Sequence, residues 1–451
     1  MDQNIILFVA FSLMAAGIYH ITPLKWRRYY LLLINSIFYL VCDGMILLLV
    51  WASSLYSHFI THKMEECDGK KKKIYLAAGI LPMVLLLLYF KYCNFFIKSE
   101  DFVILMPLGL SYYSFKIISY EIDVYRKKRN AEASILNYLI YVGFFSQIIC
   151  GPIARADRIL GQIGKKVSLC GEQLTGIAML LVSGLFKKLV IADRLSIYVE
   201  RVFTGYESLP WLALWMAAFF YSIQLYCDFA GYSEIAVGIT RLFGFECMEN
   251  FKNPYLSKNI KEFWSRWHIS LSSWLRDYVY IPLGGNRKGV FRKKFNLVIT
   301  FLISGIWHGN GWNYLLWGAY HGVLNIFPLS SAKNKVVSFL YTIITFITVM
   351  FGWIIFRADS LSVAIGYIVQ MFSFSAINMN SIIASIMPFT NDYSCLAYLL
   401  TVLLFILILV WDEIQEYQGK RASVRVKMAV YLLSVTFFAV LGQNSFLYAN
   451  Y

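Results

Sequence analysis

Three of the six histidines in the 451-residue sequence, His268, His308 and His321, fall within 54 residues of each other in its second half. His308 is the most unusual of them. It follows a nearly unbroken apolar run, "LVITFLISGIW" (297–307), and is followed at once by "GNG". An ionisable ring inside a membrane segment is expensive and usually functional; the alternative is a structural histidine hydrogen-bonded across a helix bundle. His308 and His321 are thirteen residues apart, which on one straight helix is about 20 Å of rise and more than half a turn. They cannot share a site on such a helix. Gly309 and Gly311 relieve this by ending the helix, so that "WNYLLWGAYHG" returns as a separate element, and they let backbone approach the imidazole. His20, His58 and His62 fall near span ends or in loops, where an interfacial or solvated role is the default.

Elimination narrows the chemistry. The sequence has no G-x-S-x-G nucleophile elbow. It has neither a P-loop nor a G-x-G-x-x-G turn to cradle phosphates, and no metal site of H-x-x-x-H or H-E-x-x-H spacing is read from it. No metal site is inferred. What remains is a general base in a dry, aromatic-lined cavity, where an imidazole deprotonates a hydroxyl that attacks an activated acyl group. Asn310 is placed to orient the base or to stabilise the oxyanion. Trp307, Trp312 and Trp317 read as packing and cavity wall. Asp228, Tyr232 and Glu234 lie where a span is expected to break at Gly231. There they either line the cavity or satisfy buried backbone and the neighbouring Arg241. Arg276 and Asp277 read as a structural ion pair or interface contact, with a CoA phosphate as the alternative partner of Arg276.

The elements that must position these residues are membrane helices. The chain is 59% hydrophobic and 15% charged, against nearer a quarter charged for a soluble domain. Apolar runs recur at 5–19, 74–96, 136–149, 174–191, 211–226, 297–307 with its continuation, 336–356, 396–411 and 428–441. The stretch 29–60 is too long for one span and divides at "CDG" (42–44). About ten to twelve membrane segments result, several of them short enough to be re-entrant. The expectation is an all-α polytopic bundle forming one domain over 1–451, with interfacial or re-entrant helices around a central funnel.

The net charge of +15 sits in basic loops at 25–28, 70–73, 126–129, 155–166, 287–294 and 420–427. Their interleaving with spans indicates topology and a lipid bilayer, not nucleic acid. Basic loops inside put the N-terminus "MDQN" outside. That end lacks the Lys/Arg-rich start of a cleavable signal peptide, so the first span is expected to stay as an anchor. Eight scattered cysteines suggest neither disulfides nor zinc. No internal repeat is visible, which weighs against a transporter.

The longest polar region carries "NIKEFWSRWHISLSSWLRDYVYIPLGG" (259–285). Ile260, Phe263, Trp264, Trp267, Leu271, Trp274, Leu275 and Tyr278 follow helical spacing, which predicts one helix with an apolar stripe. Arg266, Ser270, Ser273 and Asp277 are expected on its other side, and Glu262 can pair with Arg266. His268 belongs beside the stripe. Such a helix suits the membrane interface or a wedge between spans.

Taken together, "PLGLSYYSFKIISYEIDVYR" (107–126), "FFSQIICGPIAR" (144–155), "GLFKKLVIADRL" (184–195), "YCDFAGYSEIAVGITRLFGF" (226–245), "NPYLSKNIKEFWSRWHISLSSWLRDYVYIPLGGNRKG" (253–289), "TFLISGIWHGNGWNYLLWGAYHG" (300–322) and "TVMFGWIIFRA" (348–358) resemble the membrane-bound O-acyltransferases. The likeness is to the bacterial branch typified by the alginate O-acetyltransferase membrane subunit and related to the D-alanyl transfer protein of teichoic acid modification. It covers nearly the whole chain, with a core at about 103–358. The resemblance implies an acyltransferase with a funnel through the bacterial cytoplasmic membrane. It makes His308 the principal catalytic residue and His268 a second polar residue of the same cavity. The acyl group, usually acetyl, would arrive on a cytoplasmic thioester such as acetyl-CoA, with no bound cofactor. It would reach a polysaccharide hydroxyl outside, often through an exported esterase-like protein of the SGNH type. Where the family often reads "DFSGYSD", this chain has Ala230 and Glu234. "VYR" after Asp123 departs from the D-alanyl branch and favours an acetyl-type donor. The rivals are a transporter or polysaccharide-export component with His308 as proton relay, a scaffold without catalysis, and D-alanyl transfer within the family.

Overall fold

The computed structural model describes residues 5–42, 44–97, 104–148, 151–327, 334–374, 378–386, 393–420 and 423–440, and among them every regular element is a helix. The principal helices in chain order are α1 (Ile5–Ile21), α2 (Arg27–Cys42), α3 (Gly44–Glu65), α4 (Gly69–Phe96), α5 (Leu110–Tyr125), α6 (Ile135–Val142), α7 (Gly171–Leu185), α8 (Asp193–Thr204) and α9 (Trp211–Leu242). There follow α10 (Ile260–Arg266), α11 (Ile269–Leu275), α12 (Gly289–His308), α13 (Trp312–Leu324), α14 (Lys335–Arg357), α15 (Leu361–Met371), α16 (Met379–Ile386), α17 (Tyr393–Tyr417) and α18 (Val424–Phe438). Among the described residues, six helical stretches are long and apolar enough to cross a membrane: Gly44–Glu65, Gly69–Asn94, Gly171–Thr204, Trp211–Leu242, Lys335–Arg357 and Leu396–Tyr417. Three shorter apolar helices accompany them, Ile5–Ile21, Ile135–Ile148 and Leu361–Met371. The protein is an all-α, multi-pass membrane protein. The expected division of 29–60 is present, with α2 ending at Cys42 and α3 starting at Gly44. Residues 1–4, including the acidic start of the chain, lie outside the described residues.

Two compact units divide the chain. The first is Met1–Leu181 with Ser233–Glu249, and the second is Val182–Tyr232 with Asn250–Tyr451. The first is centred on a cluster of phenylalanines, with Phe145 packed against Phe8, Phe11, Phe38 and Phe243 at ring separations of 5.4 to 6.2 Å. Its short helices are tied by buried polar bonds that replace water in an apolar setting. Tyr39 Oη donates to the Gly143 carbonyl (2.8 Å), and Asn35 Oδ1 accepts from the Phe145 amide (3.1 Å). The second unit is centred on Trp267, Trp317 and Trp353, all buried.

Two sequence expectations about elements are corrected. Helix α9 does not break at Gly231; it runs unbroken from Trp211 to Leu242. The glycine serves close packing. A Cβ there would lie 2.8 Å from the Gly184 carbonyl oxygen and 3.2 Å from the Lys188 amide. The second correction concerns 259–285, which is not one helix. Helix α10 ends at Arg266 and α11 begins at Ile269, because the neighbouring strand of backbone at Asn250–Lys252 takes over the bonds a continuous helix would make. The Ile269 amide donates to the Asn250 carbonyl (2.9 Å), and the Lys252 amide donates to the Arg266 carbonyl (3.0 Å). After Leu275 the backbone winds as a π-turn over Arg276–Tyr280 before the glycine pair Gly284 and Gly285.

Candidate active site

The last turn of α12 carries His308, and its backbone then leaves in an extended conformation at Gly309 (φ −173°, ψ 175°). The ring is 3% exposed. Three aromatic rings meet it edge-on: Trp307 at 4.7 Å, Trp317 at 5.0 Å and Phe356 at 5.2 Å between centroids. Asn310 is half-buried in the turn that follows. Trp307 is half-buried and Trp312 is 66% exposed.

Helix α13 then folds back on α12. Glycines at the contact let the two backbones touch: a Cβ on Gly305 would lie 3.3 Å from the Gly318 Cα, and one on Gly318 would lie 3.1 Å from the Leu302 Cα. The fold-back places His308 and His321 on the same indole, each 5.0 Å from the Trp317 ring. His321 is fully buried among Trp264, Trp317 and Tyr320. Asn313, which the sequence did not single out, holds the hairpin in place. Its side-chain amide donates to the Ala358 carbonyl just past α14 (2.8 Å).

His268 occupies the junction between α10 and α11 in a left-handed conformation (φ 42°, ψ 54°), a region that residues other than glycine seldom visit. It is 1% exposed. Burial alone pushes its imidazole well below the usual histidine range, to about 3, so the ring is neutral at physiological pH. Phe229 meets it edge-on at 4.7 Å. From there a continuous run of rings leads through Phe251, Trp267, Trp353 and Trp317 to His308. Ser270, expected on the polar side of a single helix, is buried because the break rotates α11. Glu262 and Arg266 do pair across one turn (2.8 Å).

Arg241 pairs with Glu249 (3.5 Å), and Asp228 belongs to a buried ion cluster. Its carboxylate binds the Lys188 ammonium (2.6 Å), and the same ammonium binds Asp193 (2.7 Å). All three groups are buried, and the Tyr232 ring lies 5.4 Å from the Lys188 nitrogen. Lys188 sits in a π-helical stretch, Phe186–Ala192, a distortion often found at functional sites. Sequence reading missed both Lys188 and Asp193. The signal was a lysine pair inside the apolar run 174–191, a placement that itself marks a functional candidate. Glu234 is half-buried on the part of α9 that belongs to the other unit. Arg276 is 64% exposed and bonded to its neighbour Asp277 (2.8 Å).

A buried imidazole, His308, thus ends a helix at a glycine turn within an all-α membrane protein. The family model of the membrane-bound O-acyltransferases (MBOAT) matches residues 33–333, and the chain belongs to that family. Among its relatives is a probable alginate O-acetylase, AlgI, of Azotobacter vinelandii, 36% identical over 83% of this chain and 78% of that protein. The peptidoglycan O-acetyltransferase of Helicobacter pylori is 29% identical over 94% of this chain and 91% of its own length. The teichoic acid D-alanyltransferase of Bacillus subtilis is 29% identical over 68% and 82% respectively. The protein is an acyltransferase, and the transporter reading is left without support.

Proposed function

We propose that the protein transfers an acetyl-type acyl group from a cytoplasmic thioester to hydroxyls of an extracytoplasmic polysaccharide, with His308 as general base. The observation that carries the reading is the buried His308 ring at the glycine break after α12. One ring nitrogen takes the proton of the acceptor hydroxyl as its oxygen attacks the thioester carbonyl. The tetrahedral intermediate then collapses, the ester forms, the carbon–sulfur bond breaks and the proton passes to the departing thiolate. Asn310, in the turn after His308, is the candidate donor to the developing oxyanion. His268, neutral and buried, assists as a second polar group of the cavity.

The 36% identity to a probable alginate O-acetylase, against 29% to a D-alanyltransferase, favours an acetyl donor such as acetyl-CoA. An exported esterase-like protein as first acceptor, the cytoplasmic membrane of a bacterium as location and an external N-terminus complete the reading. The distribution of basic loops supports that orientation.

The test is the O-acetyl content of surface polysaccharide in cells carrying wild type or His308→Ala at equal membrane abundance. The variant is expected to fall by about 10²–10⁴, the usual worth of a general base. Unchanged acetylation would sink the assignment.

A further inference from the structure

Helix α3 carries "HFITH" (58–62), an H-x-x-x-H spacing near its C-terminal end that corrects the expectation of no such pair. The two Nε2 atoms converge to 3.3 Å. Both also converge on one backbone oxygen, the Glu132 carbonyl, at 2.9 Å from His58 and 3.1 Å from His62. Three polar atoms thus form a nearly equilateral triangle, and hydrogen bonding cannot satisfy all its edges. The carbonyl only accepts, and each Nε2 carries either one proton or one lone pair. If both rings donate to the carbonyl, its two lone pairs take both protons, and the close approach of the two nitrogens at 3.3 Å is left without a bond between them. If one ring donates to the other, the accepting ring has no proton left for the carbonyl.

A cation engages all three convergent atoms at once, each as a lone-pair donor. A triangle with these sides has a circumscribed radius of about 1.8 Å, so an ion about 1 Å out of its plane lies about 2.1 Å from every donor, the range of zinc–nitrogen and zinc–oxygen bonds. We propose that His58, His62 and the Glu132 carbonyl form a divalent transition-metal site of the zinc type, which clips the end of α3 to the loop preceding α6. Imidazole donors favour such ions over magnesium or calcium.

The surroundings are already arranged for this. The loop is held to α3 by the Ala131 amide, which donates to the Glu65 carboxylate (3.0 Å). The Glu132 carboxylate is turned toward the start of α6, where it accepts from the Ser134 amide and the Asn137 side chain (3.3 Å each), leaving its carbonyl to the rings. The C-terminal end of a helix also favours positive charge. Among the described residues no three side chains of histidine, cysteine, aspartate or glutamate come together, so the third donor is backbone and the remaining coordination falls to water.

Zinc binding to the full-length detergent-purified chain, by competition against a chromophoric chelator, tests the proposal. One zinc per chain is expected, with at least about tenfold weaker binding in His58→Ala and in His62→Ala, as for damaged metal shells generally. His20→Ala, at a histidine that bonds the Leu242 carbonyl instead, is expected to leave the affinity intact. Equal affinity in all four proteins, or no uptake by wild type, overturns it. Should the variants fail to fold, wild type alone decides. Its unfolding midpoint is expected to rise with zinc and to return with EDTA, and the absence of any shift overturns the site.

Discussion

His268 is held neutral by burial, and this has a consequence for stability. Its folded pKa, about 3, lies below the unfolded value of about 6.5. Between those limits the unfolded chain binds the extra proton, so the contribution of the neutral ring is complete above about pH 6.5 and is lost as pH falls. The loss approaches about 1.4 kcal/mol per pH unit. Thermal unfolding of the purified protein at pH 7.5 and pH 5 is expected to show a falling midpoint, with a smaller fall in His268→Gln. An identical pH response in the two proteins would contradict this account. Legibility differs from residue to residue. His308 could be read from its apolar approach and the glycines after it. The conformation of His268 could not, because the bonds that break the helix come from Asn250 and Lys252, outside the pattern that predicted it.

At the scale of elements, the π-helical stretch at Phe186–Ala192 carries the buried ion cluster. Removing the ammonium in Lys188→Met leaves two carboxylates buried without their cation. The expected penalty is about 3–5 kcal/mol, seen as a lower unfolding midpoint or a loss of folded protein from membranes. Lys188→Met combined with Asp228→Asn and Asp193→Asn is expected to recover most of it. No recovery would mean that the cluster does more than balance charge. This arrangement was hidden in the sequence for a geometric reason. Asp193 lies five residues from Lys188, beyond the usual three- and four-residue helical neighbours, and Asp228 is 40 residues away. The α12–α13 turn was legible because Gly309 and Gly311 announced it, whereas the close contact at Gly305 and Gly318 came only with the structure.

For the whole molecule, hydropathy established a multi-pass helical protein, and the division of 29–60 into α2 and α3 follows from one turn signal. The continuity of α9 did not follow, since glycine breaks a helix in one setting and lets helices touch in another. Orientation is open to a direct test. Lys71→Cys, in the basic start of α4, is expected to react with an impermeant thiol reagent only from the cytoplasmic face. Labelling from outside would invert the topology, and with it the side from which the donor arrives.

The contact between Gly305 and Gly318 bears on how the protein can change under selection. Where backbone touches backbone there is no side chain to trim or repack, so an added methyl group must be accommodated by moving a whole helix. His308 ends one of those helices and Trp317 lies on the other. Drift at either glycine is therefore expected to change turnover before it changes substrate preference, and new acceptor specificity would have to arise elsewhere in the chain.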